Sequence, residues 1–242
     1  MAAAGAPSEG KTRFYLFEQF FLRNGSQVGR IHDFFQRALL PALSKIHTGP
    51  KIFLEALVAP HMPQVAVVFG YQSMEELQEV HRKQFADGDL MKSFAAWEAG
   101  TEAAVESYAT RLLEATAYSP EIVTPAKPPE QPRIFELRIY HSPTHRQLRA
   151  LHERFAGPEI KIFHRVGVHP ILYTSTVIGP DKPNLTYLIP FDNLAAREKA
   201  WTAFNADSEW QKVRQESIDR SGQIASVIQM SLYRATAYSP IR

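Results

Sequence analysis

A two-residue alternation of apolar and polar positions marks the sequence from residue 133 onward. Phe135, Leu137 and Ile139 alternate with more polar neighbours within Arg133–Tyr140, which is the period of a β-strand. The segment Tyr15–Phe20 occupies the corresponding place near the start of the chain and is apolar at most positions. We predict a strand at each place.

An amphipathic stretch follows each of these strands. Its apolar positions are three and four residues apart, which is typical of a helix with one buried face. The positions are Val28, Ile31, Phe35, Leu39, Leu43 and Ile46 in the first half, and Leu148, Leu151, Phe155 and Phe163 in the second. Gly157-Pro158 lies inside the second stretch and predicts a break or kink in that helix.

Two further strands come next in each half. They are predicted at Ile52–Val58 and Val65–Tyr71, and again at Ile171–Ile178 and Leu185–Phe191. The second strand of each pair is apolar on both faces, which indicates a sheet that is covered on both sides.

A second helical region then begins, with recognisable start signals. Ser73 and Ser208 each precede a Glu or Gln by three residues, which is the spacing of a capping box. Asp192 or Asn193 is a candidate N-cap residue for the helix that follows it.

A closing strand is predicted near Leu112–Ala117 and near Leu232–Ala237. The element order is therefore β-α-β-β-α-β, which is the ferredoxin-like arrangement. Its helices cover only one face of an antiparallel sheet, so another sheet must cover the second face. We predict an α+β protein with two tandem ferredoxin-like domains of the dimeric α/β barrel type. The barrel would form either in a homo-oligomer, most simply a dimer, or within one chain as an intramolecular pseudo-dimer.

The two halves are an internal repeat. LLEATAYSP ends at Pro120 and LYRATAYSP ends at Pro240, and the same ungapped shift aligns identical residues such as His32 with His152. The sequence is accordingly divided into a mobile tail at 1–12, a first domain at 13–120, a Pro-rich linker at 121–132 and a second domain at 133–242.

Composition excludes several classes of function. The chain has no cysteine, which rules out disulfides, a thiolate nucleophile and iron–sulfur ligation. Its 27 basic and 25 acidic residues give a charge of +2, unlike a surface that binds nucleic acid. No segment resembles a membrane span or a signal peptide. We therefore expect a cytoplasmic protein that does not bind nucleic acid.

Characteristic strand and turn motifs run through the second half. They are Phe135–Tyr140, His164, Gly167, Asn184-Leu185, Tyr187–Phe191, Leu194, Arg197, Asp207-x-Glu209-Trp210 and Ala235–Pro240. With these motifs the second half resembles the NIPSNAP family.

The first half resembles that family less closely. It keeps Glu18, Tyr71, Asp87 and the AlaTyrSerPro ending, but has Gln64, Leu77 and Leu90 in place of Asn184, Arg197 and Trp210. We therefore expect any site in the first half to be degenerate.

The resemblance implies the dimeric α/β barrel fold but no defined reaction. Three functions stay open: a protein that binds a small apolar or acidic molecule or acts as an interaction module, a cofactor-independent monooxygenase- or isomerase-like enzyme, and a purely structural assembly unit. No nucleotide-binding, serine-hydrolase or zinc-protease motif is present, and no cofactor or metal is expected.

Candidate site residues are the polar positions of the family motifs. Glu136, Arg138 and Tyr140 share one strand face, which we expect to point into the barrel. They would act as an anion-binding and proton-transferring set or form a structural ion pair. His164 is a candidate base. The candidate ligand-binding residues are Asn184 and Arg197. The aromatic residues Trp201, Phe204 and Trp210 would be core residues or ligand walls.

Overall fold

The computed structural model describes residues 10–242; residues 1–9, which hold most of the predicted tail, lie outside the described part. Each half contains four strands and four helices. The elements of the first half are β1 (Phe14–Phe21), α1 (Ser26–Phe34), α2 (Leu40–Ile46), β2 (Lys51–Val58), β3 (Gln64–Tyr71), α3 (Met74–Ala86), α4 (Gly88–Glu98) and β4 (Ser107–Ala115). Those of the second half are β5 (Ile134–His141), α5 (His145–Arg154), α6 (Ile160–Arg165), β6 (Leu172–Ile178), β7 (Asn184–Phe191), α7 (Leu194–Ala206), α8 (Ser208–Ser221) and β8 (Val227–Ala235).

The eight strands close into one antiparallel barrel within a single chain. Their order around the barrel is β1-β3-β2-β8-β5-β7-β6-β4. The halves meet where β2 pairs with β8 and where β4 pairs with β6. The predicted fold of two ferredoxin-like units is confirmed, and the barrel has the pseudo-dimer arrangement.

Residues 10–242 contain three apolar cores. One fills the barrel, and the other two lie between the sheet and the helices of each half. Strand β3 shows why some strands are apolar on both faces, as predicted. Ala66 and Val68 belong to the barrel core, whereas Val65 and Val67 pack under the helices. Both faces of the strand are therefore buried.

The first long helix of each half is interrupted by one π-helical turn. These turns are Phe35–Leu39 between α1 and α2, and Phe155–Glu159 between α5 and α6. In the second half Gly157 has φ −89° and ψ −110°, outside the helical range. The predicted kink at Gly157-Pro158 is therefore present.

Side-chain caps start the later helices. The Ser73 and Asn193 side chains accept hydrogen bonds from backbone N–H groups of their first turns, as predicted. The prediction for Ser208 is wrong, because the carboxylate of Asp207 accepts the bond from Trp210 N and Ser208 is the first residue of α8. Asp207 offers the same three-residue spacing one position earlier and therefore determines where α8 begins.

Candidate functional site

The polar face of β5 lies under the helices. Phe135 and Leu137 belong to the barrel core, so Glu136, Arg138 and Tyr140 point to the opposite side, toward α7 and α8. The expectation that this set faces the barrel interior is therefore wrong. An eight-stranded barrel is narrow enough to be packed with side chains, and here the apolar residues of β5 belong to its core.

Glu136 is the fully buried centre of an ion-pair network. Its Oε1 accepts a hydrogen bond from Arg138 Nε at 2.5 Å. Its Oε2 accepts one from Arg197 Nε at 2.5 Å and another from Trp201 Nε1 at 3.0 Å. Both carboxylate oxygens are thus satisfied, as a buried charge requires. Strand β5 and helix α7 are joined at this point.

Arg138 is held in a fixed orientation beside this carboxylate. Its guanidinium lies 3.8 Å from the ring centre of Trp201, and Nη1 donates to the Tyr140 hydroxyl at 2.9 Å. Burial lowers the pKa of Arg138, but the neighbouring Tyr187, Tyr140 and Glu136 outweigh it and raise the pKa above its usual value. The guanidinium is therefore a permanent positive charge.

A cavity of about 770 Å³ opens beside this network. We call it the arginine pocket. It lies between the β5–β8 region of the sheet and helices α7 and α8. It is lined by Arg138, Tyr140, Arg197, Glu198, Trp201, Thr202, Phe204, Asn205, Trp210, Gln211, Arg214 and Ile228. Three arginines and one glutamate thus share the wall with four aromatic side chains.

A buried acid adjoins the arginine pocket. Glu159 is 1% exposed and lines a smaller cavity of about 120 Å³, which shares Tyr140, Trp210, Arg214 and Ile228 with the arginine pocket. Glu159 Oε2 accepts a hydrogen bond from Arg154 Nε at 2.7 Å. Burial raises the pKa of the Glu159 carboxyl to about 7, although Arg154 and Arg138 act in the opposite direction.

The comparison with protein families supports the interpretation of the motifs. The NIPSNAP family model matches residues 135–240, a range that contains nearly all of the second half and the whole arginine pocket. The second half is therefore similar to the NIPSNAP family over this range. The comparison with curated proteins returned no match.

Solved structures share the fold of the whole chain. An anthrone oxidase-like protein is 13% identical, with 95% of this chain and 94% of the other covered and a TM-score of 0.56. A proposed monooxygenase from Fusobacterium nucleatum is 7% identical, with 93% of each chain covered and a TM-score of 0.57. A NIPSNAP-like domain protein from Burkholderia xenovorans is 25% identical over 45% of this chain and 89% of the other, with a TM-score of 0.40. The first two similarities show the dimeric α/β barrel fold alone.

Two of the predicted site residues lie away from both the Glu136 network and the arginine pocket. Asn184 is buried at the start of β7, where its Oδ1 accepts hydrogen bonds from the hydroxyls of Thr176 at 2.9 Å and Thr186 at 3.1 Å. His164 is exposed at the end of α6, and its ring stacks on that of His169 with the centroids 5.1 Å apart. The structure therefore places Glu136, Arg138, Tyr140 and Arg197 together but places Asn184 and His164 elsewhere.

Sequence reasoning missed Glu159, Arg154 and Arg214. The signal for Glu159 is its position directly after Gly157-Pro158, because the kinked turn carries the acid into the helix layer. Arg214 gave no signal, since it lies in a helix that is rich in charged and polar residues.

The first half lacks the ion-pair network. Register shows this directly, since Leu16 pairs with Phe69 as Glu136 pairs with Ile189. Glu18 therefore occupies the place of Arg138, and its description as a retained family glutamate is wrong. On the side of β1 that faces the helices, the glutamate therefore stands two residues later than its counterpart on β5.

No group of three or more His, Asp or Glu side chains within residues 10–242 could hold a metal ion. None of the helices in the same range has the length and apolar character needed to cross a membrane.

Proposed function

We propose that the second half binds a small anionic molecule with an apolar or aromatic body in the arginine pocket. One observation carries the proposal: Arg138 is fixed and charged in a pocket that it shares with Arg197 and Arg214. Glu198 is the one acidic side chain on that wall. The lining is therefore electropositive and favours an anion.

The ion pairs with Glu136 leave binding capacity on both arginines. A guanidinium carries five N–H donors. Glu136 accepts from Nε of Arg138 and from Nε of Arg197, and Tyr140 accepts one further bond from Arg138. Glu136 therefore orients the two groups without using up their remaining donors. Pre-oriented guanidinium groups are well suited to a planar carboxylate.

The aromatic walls define the rest of the molecule. Trp201, Phe204 and Trp210 pack edge to face or at a tilt, with Phe204 and Trp210 centroids 4.4 Å apart. Pockets with apolar walls and a few convergent polar groups are typical small-molecule sites. We therefore expect an aromatic or alicyclic carboxylate to bind better than a purely aliphatic salt.

Calorimetric titration with 2-naphthoate and with the neutral 2-naphthamide tests this proposal. We expect 2-naphthoate to bind and the amide to bind about tenfold or more weakly, because the amide lacks the charge that the arginines recognise. Arg214→Gln should weaken the binding of 2-naphthoate about tenfold. Arg220→Gln, which removes the same charge from the same helix outside the pocket, is the matched control. Equal affinities for acid and amide would contradict the proposal.

A second candidate function is cofactor-independent acid–base catalysis on the bound molecule. It is supported by Glu159, since a carboxyl with a pKa of about 7 beside the pocket can give or take a proton at neutral pH. The test is hydrogen–deuterium exchange. Any ligand that co-purifies with the protein is incubated in D₂O with wild type and with Glu159→Gln. Its mass is then measured by mass spectrometry. Deuterium uptake at a carbon atom of the ligand that is lost in Glu159→Gln would support catalysis. Binding without such uptake would support the binding function only.

We also propose that the single chain is the functional unit. The two halves already supply all eight strands of the barrel, so a second copy is not needed to bury the sheet faces. Sedimentation at micromolar concentration should give the mass of the monomer, 27.4 kDa. A stable dimer at that concentration would instead favour the homo-oligomer.

A further inference from the structure

A second large cavity lies at the place in the first half that corresponds to the arginine pocket. Its volume is about 610 Å³, and we call it the aromatic pocket. The repeat shift of the sequence relates its wall to that of the arginine pocket, and to the small cavity beside it, position by position. Glu18 stands at the place of Arg138, Leu90 at that of Trp210, Phe94 at that of Arg214, and Tyr108 at that of Ile228.

The chemistry of the wall is reversed between the halves. The lining of the aromatic pocket includes no lysine or arginine, and its acidic and histidine residues are Glu18, His81 and Glu98. Burial lowers the pKa of His81, so this histidine is neutral at pH 7. The wall of the aromatic pocket is thus acidic, whereas the wall of the arginine pocket is basic.

Glu18 has no cationic partner within residues 10–242. It is half-buried on β1, and its Oε1 accepts a hydrogen bond from the Thr110 hydroxyl at 3.2 Å. None of the ion pairs within this range includes it. Burial raises the pKa of Glu18, opposed by the Thr110 hydrogen bond. A partly desolvated carboxyl of this kind is stabilised in its charged form by a cation placed beside it.

Aromatic rings line the same pocket as this carboxyl. Trp97 stacks on Phe34 with centroids 4.9 Å apart and ring planes 8° apart. The ring centroids of Phe20 and Tyr108 are 6.2 Å apart, and Tyr108 is 66% exposed at the rim. Aromatic faces attract cations as well as apolar groups. An acidic group within an aromatic wall matches a molecule with one cationic end and an apolar body.

We propose that the aromatic pocket is a second ligand site, which binds a hydrophobic amine with its ammonium group at Glu18 and its apolar body along Phe34, Phe94 and Trp97. The site is separate from the arginine pocket and takes the opposite charge. The chain would therefore hold two different ligands at equivalent positions of its repeat.

The test is titration of the full chain with decylammonium below its micelle-forming concentration, with decanol as the neutral probe of equal length. Binding is followed by the ¹⁹F signal of 5-fluorotryptophan at position 97, assigned with Trp97→Phe. We expect saturable binding of decylammonium and at least about tenfold weaker binding of decanol. Glu18→Gln should remove this preference for the amine.

Two further variants keep the result interpretable. Phe94→Arg places at the rim the residue found at the equivalent position of the second half, and it should weaken decylammonium binding about tenfold without altering 2-naphthoate binding. Arg214→Gln should leave decylammonium binding unchanged. The proposal is overturned if decanol binds as tightly as decylammonium, if Glu18→Gln and Phe94→Arg both bind the amine as wild type does, or if the pocket binds no amine and is instead covered by a second copy that Phe94→Arg dissociates.

Discussion

The hydroxyl of Tyr118 lies 2.8 Å from Nδ1 of His152, although the two residues belong to different halves of the repeat. The same contact occurs in reverse, since the hydroxyl of Tyr238 lies 2.8 Å from Nδ1 of His32. The tyrosine of each AlaTyrSerPro ending thus reaches the first helix of the opposite half. These four identical residues of the repeat therefore form contacts between the halves.

The serine of the same motif adds to this exchange. Ser119 Oγ accepts a hydrogen bond from Tyr173 N at 3.0 Å, and Ser239 Oγ accepts one from Phe53 N at 3.0 Å. Each ending therefore attaches to the second strand of the opposite half.

Removal of either tyrosine hydroxyl should destabilise the chain. We expect Tyr118→Phe and Tyr238→Phe each to lower the free energy of unfolding by about 1 kcal/mol, because each leaves a histidine nitrogen without its partner. Urea unfolding measures the change. Tyr108→Phe is the control, since Tyr108 is exposed at the surface. A loss no larger than that of the control would show that the contacts contribute nothing.

The pH dependence of stability should reflect His152. Burial lowers the pKa of His152 to about 4, below the value of about 6.5 for an unfolded chain. The unfolded state then binds more protons between these values, so the contribution is fully present above pH 6.5 and is lost as the pH falls toward 4. Urea unfolding of His152→Asn should show a smaller loss over that range than wild type. Parallel curves for the two proteins would contradict this assignment.

Glu159 should act in the opposite direction. Its folded pKa of about 7 lies above the unfolded value of about 4.3, so its contribution is fully present below pH 4.3 and is lost as the pH rises through 7. The amide of Glu159→Gln does not ionise. Compared with wild type, this variant should therefore be relatively more stable at pH 8 than at pH 5. Glu153→Gln, a change on the exposed face of α5, is the matched control.

The sequence allowed the periodicity of the site to be predicted but not its orientation. Alternation placed Glu136 and Arg138 on one face of β5, and this is confirmed. Both faces of the strand are buried, however, so alternation does not show which face lies inside the barrel. Glu159 was missed for another reason. Its burial depends on a single π-helical turn, which has no repeating pattern.

Replacement of Arg138 by methionine should affect stability and binding together. The change keeps the length of the side chain but removes one of the two guanidinium groups that neutralise Glu136. We expect the free energy of unfolding to fall by about 3 kcal/mol, as when one partner of a buried ion pair is removed. We also expect the binding of 2-naphthoate to weaken. Thermal melting combined with titration separates the two effects, and normal binding by the folded variant would assign Arg138 a structural role alone.

The second half alone should assemble into a dimer that rebuilds the barrel. In the full chain β6 and β8 pair with β4 and β2 of the first half, so a fragment of residues 133–242 exposes both edges and the barrel face of its sheet. Because β4 and β2 are the repeat equivalents of β8 and β6, a second copy offers matching edges. Light scattering after size-exclusion chromatography should give a dimer for the fragment and a monomer for the full chain at equal concentration. Mixing the fragment with residues 10–132 should give a one-to-one complex instead. A fragment that is folded and monomeric and does not bind the first half would show that the exposed sheet face is stable without the barrel.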